Sequence, residues 1–187
     1  ALGGAEVPMI ELAQAYAHLT TRKTATINPI ISITTKDGSE IYSKNLETDT
    51  QEEIIPIGVE YLIWKILSDP NNRISWWISK FNIQGLTYAL KTGTSNVGKY
   101  ARDGWMFAYV PNKMVLMRAW NTNAKAMKTS SYGGEIHAET IKKFMKWLFD
   151  NKYIQNSEMP YEEVKSVRIG KYTGKLANKN APKEYGV

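Results

Sequence analysis

The run from Leu86 to Trp120 constrains the fold of this chain more than any other segment. Leu86, Tyr88 and Leu90 alternate with Thr87, Ala89 and Lys91, the period-2 pattern of a strand. Trp105–Val110 and Met114–Trp120 are two further apolar strands, separated only by Pro111-Asn112-Lys113. So short a connection makes a tight hairpin, and hairpin-joined strands run antiparallel. Asn96–Asp103 is polar and contains glycine, so it reads as a loop between the first strand and the second. Three consecutive strands therefore predict an antiparallel meander.

Helices bracket that meander. Pro8 suits a first helical turn, and Leu12, Ala15, Tyr16 and Leu19 follow at helical spacing. Asn28–Thr35 is rich in Ile and Thr and reads as a strand; Asp37-Gly38 then signals a hairpin, with Glu40–Ser43 returning. Leu46–Glu53 reads as a polar loop. Val59, Leu62, Ile63 and Ile66 set the apolar stripe of a second helix, which stops before Pro70, and Asp69–Arg73 turns. Ser75–Phe81, with Trp76 and Trp77, reads as either a short helix or an aromatic loop. Gly133-Gly134 precedes a long helix whose core stripe is Ile141, Phe144, Met145 and Leu148, with Lys142, Lys143 and Lys146 off it. The tail is polar, with one weak strand at Val164–Ile169. This order predicts an α+β fold, an antiparallel sheet flanked by helices.

Composition removes several classes of function. With 187 residues, 43% of them hydrophobic, the chain suits one domain with a real core. No apolar run approaches the ~20 residues of a membrane helix. The absence of cysteine excludes a disulfide framework, a thiolate zinc site and a cysteine nucleophile. The net charge of +6 favours anionic partners, but no nucleic-acid motif accompanies it, and nucleic acid is not an expected partner. His18 and His137 are the only histidines. Glu135 and Glu139 each lie two residues from His137, off its helix face, so no metal site is expected. Trp76-Trp77 reads as packing. Lys142, Lys143, Lys146 and Lys152 beside Trp147 read as a solvated helix face in preference to a membrane contact.

The chemistry concentrates in Lys91-Thr92-Gly93-Thr94-Ser95. On a strand, Lys91, Gly93 and Ser95 alternate in facing with Thr92 and Thr94. Gly93 removes a side chain where another backbone could approach. The lysine supplies positive charge, and the hydroxyls are donors for an anion. The set suits an extended peptide ending in a carboxylate, docked along an exposed sheet edge. A Lys-Thr-Gly tripeptide alone more often serves turn chemistry at a strand end.

Its surroundings are more specific. Leu2-Gly3-Gly4-Ala5-Glu6-Val7 and Glu11-Leu12-Ala13-Gln14-Ala15-Tyr16-Ala17 precede it. Arg102-Asp103-Gly104-Trp105-Met106-Phe107-Ala108-Tyr109-Val110-Pro111, Gly133-Gly134 with its helix, and Thr173-Gly174-Lys175-Leu176-Ala177 follow. In this order the segments span nearly the whole chain. They resemble the later part of the transpeptidase domain of class A penicillin-binding proteins. The resemblance places the C-terminal part of that domain at residues 1–152 and a C-terminal extension at 153–187.

The resemblance implies a peptidoglycan D,D-transpeptidase, which joins stem peptides by acyl transfer through a serine. Lys91 would hold the proton network near the serines and attract the substrate carboxylate. Thr92 and Thr94 would lie along the substrate strand. Thr94 would offer its hydroxyl to the terminal carboxylate and its backbone N–H to an oxyanion hole. Ser95 would add a second hydroxyl, and Gly93 would let the peptide or a β-lactam lie close. Lys91 and Thr94 can serve one site only if the strand twists or bulges near Gly93. The implied partners are a D-Ala-D-Ala stem peptide, β-lactams and the N-terminal remainder of the same protein; no cofactor is implied. The implied location is the extracytoplasmic face of the bacterial cytoplasmic membrane, with the anchor outside this chain.

Two departures stand out. Leu90 occupies a position where the family has a small residue. No Ser-x-x-Lys, the nucleophile and its base, occurs in these residues, and Ser43-Lys44-Asn45 falls out of family order. The chain therefore reads as truncated and inactive alone, with apolar faces left uncovered and a tendency to low stability or self-association. The alternatives are a non-catalytic scaffold or binding domain that kept the fold, and a serine β-lactamase, which the opening helix and the Thr173-Gly174 segment disfavour.

Overall fold

The computed structural model describes residues 6–22, 29–44, 53–128, 131–162, 164–170 and 174–177. In chain order the elements are α1 (Met9–Thr21), β1 (Ser32–Thr34), β2 (Glu40–Ser43), α2 (Ile57–Ser68), α3 (Ser75–Phe81), β3 (Ala89–Val97), β4 (Tyr100–Val110), β5 (Lys113–Trp120), α4 (Gly133–Ile136) and α5 (Ala138–Asp150). β3, β4 and β5 form the expected antiparallel meander, flanked by helices in an α+β arrangement. β1 and β2 pair separately around Asp37-Gly38, leaving Ile33 and Ile41 exposed.

The first turn of the meander corrects an expectation. Asn96–Asp103 is not a loop: β3 and β4 run on until Val97 pairs with Tyr100, and only Gly98 and Lys99 turn. Gly98 has φ of 59°, the left-handed geometry a two-residue hairpin turn needs. From Asn96 to Tyr100 the strand ends are exposed, so nothing there demands the apolar alternation that marks a half-buried strand. At the second turn Val110 pairs with Lys113 around Pro111-Asn112.

Alternation along β4 gives the sheet two buried faces. Met106, Ala108 and Val110 meet Ile141 and Met145 of α5 and Phe81 of α3. Phe107 and Tyr109 point the other way, toward Trp64 of α2 and Tyr16 of α1. Tyr16 stacks on Phe107 with centroids 4.2 Å apart, and Trp64 meets Tyr109 edge-on at 5.3 Å. Helix, sheet and helix thus form three layers, each buried large side chain contributing about 1.5–3 kcal/mol. Arg73 ties α2 to the strand: its Nη2 donates to the carbonyls of Leu67 and Ser68 at the end of α2 and to Tyr88 O at 3.0 Å.

The helices depart from their expected faces. On α2 most of the expected stripe is turned outward: Val59, Leu62 and Ile66 are exposed and Ile63 is half-buried, while Gly58, Glu60, Trp64 and Ser68 are buried. The Trp64 indole fills the space beside Tyr109, and that contact sets the rotation of the helix. Ala15 of α1 is exposed. On α5, Phe144 leaves the core and stacks with Trp147 at 6.2 Å. Ser75–Phe81 is helical, which resolves its two readings. The long helix expected after Gly133-Gly134 forms as α5, but the two glycines themselves open a separate short helix, α4, which breaks from α5 at His137. No strand forms over residues 164–169; Ile169 and Leu176 make one isolated bridge. Beyond residue 152, Ile154 and Met159 still enter the two cores, and Asn156 Oδ1 accepts from Thr87 N at 2.7 Å. Asn28, residues 46–52 and Thr173 lie outside the described residues. Among the described residues, no helix is long and apolar enough to cross a membrane.

Candidate functional site

Lys91-Thr92-Gly93-Thr94-Ser95 occupies the middle of β3, an edge strand of the described sheet with β4 on one side only. Such an edge presents the N–H and C=O of alternate residues without sheet partners, a template for an added extended chain. All five residues line one groove of about 1450 Å³, bounded across from them by Val7, Leu12 and Tyr16.

The side chains divide between the faces. Lys91, Gly93 and Ser95 stand opposite Phe107, Trp105 and Asp103, on the face shared with α1. Lys91 is exposed, its Nζ donating to Thr92 O at 2.7 Å, and among the described residues no carboxylate pairs with it. Thr92 and Thr94 lie on the face under α4. Gly133 N–H donates to Thr94 Oγ1 at 3.2 Å. A bulge near Gly93 that would bring Lys91 and Thr94 to one face does not occur. Register is kept from Ala89 to Ser95 and shifts only between Ser95 and Asn96, where Arg102 is the extra residue on β4. Lys91 and the Thr94 side chain therefore keep opposite facings along β3, while both residues border the same groove.

α4 holds the strand from below at van der Waals range. A Cβ on Gly133 would lie 2.5 Å from Gly93 O and 2.3 Å from Trp105 O, so only glycine permits this approach. Trp77 packs under Gly134 near Thr92. Lys80 and Glu135 pair at 2.6 Å and pin α3 to α4. His137 is buried with Nε2 3.0 Å from Gly104 O; a carbonyl only accepts, so Nε2 carries the proton. That contact gives His137 a structural task, and among the described residues no three His, Asp or Glu side chains gather to hold a metal.

A second cluster on the Lys91 face escaped the sequence reading. Asp103 Oδ1 accepts from Arg118 Nε at 3.0 Å and Nη2 at 2.6 Å, while Oδ2 accepts from Ser95 Oγ at 2.7 Å. Partial burial pushes the Asp103 carboxyl up, but the Ser95 and Arg118 hydrogen bonds outweigh it and hold the group below the usual carboxylate range. Arg118 lies over Trp105 at 5.0 Å and Trp120 at 4.5 Å. Reading residues 96–103 as a loop concealed this cluster. With Val97 paired to Tyr100 and the bulge at Arg102, the register brings Gly93, Trp105 and Arg118 into one row, and Ser95, Asp103 and Trp120 into the next. The groove thus carries Lys91, Arg102 and Arg118 against Glu6 and Asp103, an excess of positive charge suited to an anionic extended ligand.

No protein-family model matches the sequence, and no curated protein matches it significantly. Solved structures do. The penicillin-binding protein PonA1 from Mycobacterium tuberculosis is similar with a TM-score of 0.64 and 22% identity, over 81% of this chain and 40% of that one. PonA1 in complex with penicillin V gives 0.62 and 21%, over 85% and 42%. Penicillin-Binding Protein 1A from Haemophilus influenzae gives 0.68 and 19%, over 100% and 33%. At these identities the likeness is one of fold: the chain takes the fold of part of these penicillin-binding proteins. It spans well under half the length of each.

Proposed function

We propose that this chain is the acyl-donor-binding part of a penicillin-binding D,D-transpeptidase. The observation that carries this reading is the placement of Lys91-Thr92-Gly93-Thr94-Ser95 on a sheet edge that borders a positively charged groove, in a chain with this fold. A stem peptide ending in D-Ala-D-Ala, or a β-lactam in its place, would extend along β3 as an added strand. Lys91 would attract the terminal carboxylate. Gly93 would allow close backbone approach, and the backbone N–H of Thr94 would stabilise the oxyanion. With Thr94 Oγ1 accepting from Gly133 N–H, Ser95 would add a hydroxyl on the Lys91 side.

The attacking atom lies elsewhere. No Ser-x-x-Lys occurs in the 187 residues, so acyl transfer needs a serine and its base from outside them. Incubating the chain with a penicillin and reading its intact mass tests this. We expect reversible binding with no mass increase. A stable adduct on these residues would overturn the assignment. The second reading, a non-catalytic scaffold of the same fold, rests on the same missing pair. It predicts that the coding sequence upstream also lacks Ser-x-x-Lys.

A further inference from the structure

Arg118 is placed oddly for a purely structural cation. It projects from the far strand of the sheet into the same groove as Lys91, directly across β4 from Gly93. Asp103 binds its Nε and Nη2 through one oxygen, which fixes the plane of the guanidinium. The Trp105 and Trp120 rings pack against it, at 5.0 Å and 4.5 Å from the guanidinium carbon. Among the described residues, its Nη1 has no hydrogen-bond partner. A guanidinium held in orientation, with three of its five N–H groups unused on a groove wall, has the form of a carboxylate receptor.

The path to it is open. Trp105 leans toward Gly93, where an added Cβ would stand 3.3 Å from Trp105 Cβ. A ligand on the outer edge of β3 therefore crosses Gly93, then the Trp105 ring, then reaches Arg118. Sheet spacing puts the Arg118 backbone about 10 Å from that of Gly93, within reach of a long side chain on the ligand.

We propose that Arg118, oriented by Asp103 and packed against Trp105 and Trp120, is a second anion subsite. It receives a side-chain carboxylate on a donor peptide whose terminal carboxylate sits at Lys91. The preferred substrate class is then a peptide with two carboxylates, one at its D-Ala-D-Ala end and one on a long side chain upstream. This deepens the donor-binding reading and rests on it.

Calorimetric titration of the 187-residue chain with two synthetic peptides tests the subsite. Both end in D-Ala-D-Ala; one carries the upstream side-chain carboxylate and the other its primary amide. We expect the dicarboxylate to bind about tenfold more tightly, the scale of a charge-assisted bidentate contact. Arg118→Gln should abolish that preference and leave the amide peptide's affinity unchanged, which also reports that the variant is folded. Trp120→Ala, which leaves the Arg118–Asp103 pair in place, should reduce the preference. Lys91→Gln should weaken both peptides by the same factor. Equal affinity for the two peptides in the unmodified chain, or a preference that survives Arg118→Gln, overturns the subsite and leaves the donor-binding reading standing. Failure of both peptides to bind overturns the donor-binding reading itself.

Discussion

Asp103 shows how one side chain can serve both stability and the site. It orients Arg118, fixes the Ser95 hydroxyl and joins β3 to β5 across β4. Its folded pKa lies below the ordinary value. Stability from a depressed carboxyl is present above the unfolded pKa of about 3.9 and is lost as pH falls through the folded value. Urea unfolding from pH 6 down to pH 2 should therefore show an acid loss that Asp103→Asn reduces. At pH 7 the same variant should cost about 1 kcal/mol, because the pair is partly exposed. An unchanged acid limb in Asp103→Asn would remove this role. Sequence pattern gave little notice of this residue, since a carboxylate in a polar run looks like loop solvation until the strand register is known.

At the scale of elements, α4 is only four residues long and is consequential for the site. Its Gly133 lies against the backbone of both β3 and β4 and gives its N–H to Thr94. We expect Gly133→Ala to displace α4 and cost about 3 kcal/mol, since the added methyl meets two carbonyl oxygens and not the end of a flexible side chain. Circular dichroism melts would measure the loss, and Gly38→Ala, in the exposed β1–β2 turn, gives a comparison of a strained φ without a clash. A melt for Gly133→Ala no lower than that of Gly38→Ala would show that α4 yields freely. Turns and the strand motif were legible because their chemistry is local: Asp37-Gly38 and Pro111-Asn112 sit where chain geometry demands them. Helix rotation was not. Val59, Leu62 and Ile66 make a sound apolar stripe on α2, yet Trp64, a larger side chain on another face, found the core. Periodicity reports that a helix has an apolar face, and volume matching decides which face is used.

For the whole molecule, the meander was readable from Leu86–Trp120 because three strands follow one another there and Pro111-Asn112-Lys113 leaves the last two only a hairpin. The division of Lys91 and Thr94 between faces followed from strict alternation, and the structure keeps that alternation through Gly93. What the pattern could not supply was the long-range register that brings Trp105, Arg118 and Trp120 beside the motif. The same structure leaves Ile33, Ile41, Leu62 and Ile66 exposed, surfaces of the kind that covering segments or partners bury. On the proposed function, β3 binds an acyl donor along its open edge without being acylated. Amide NMR of the 187-residue chain, titrated with an acyl-D-Ala-D-Ala peptide, tests it most directly. Reversible shifts centred on the amides of Thr92, Gly93, Thr94 and Ser95 are expected, weakened in Lys91→Gln. Shifts absent from that strand while other parts of the surface respond would contradict it.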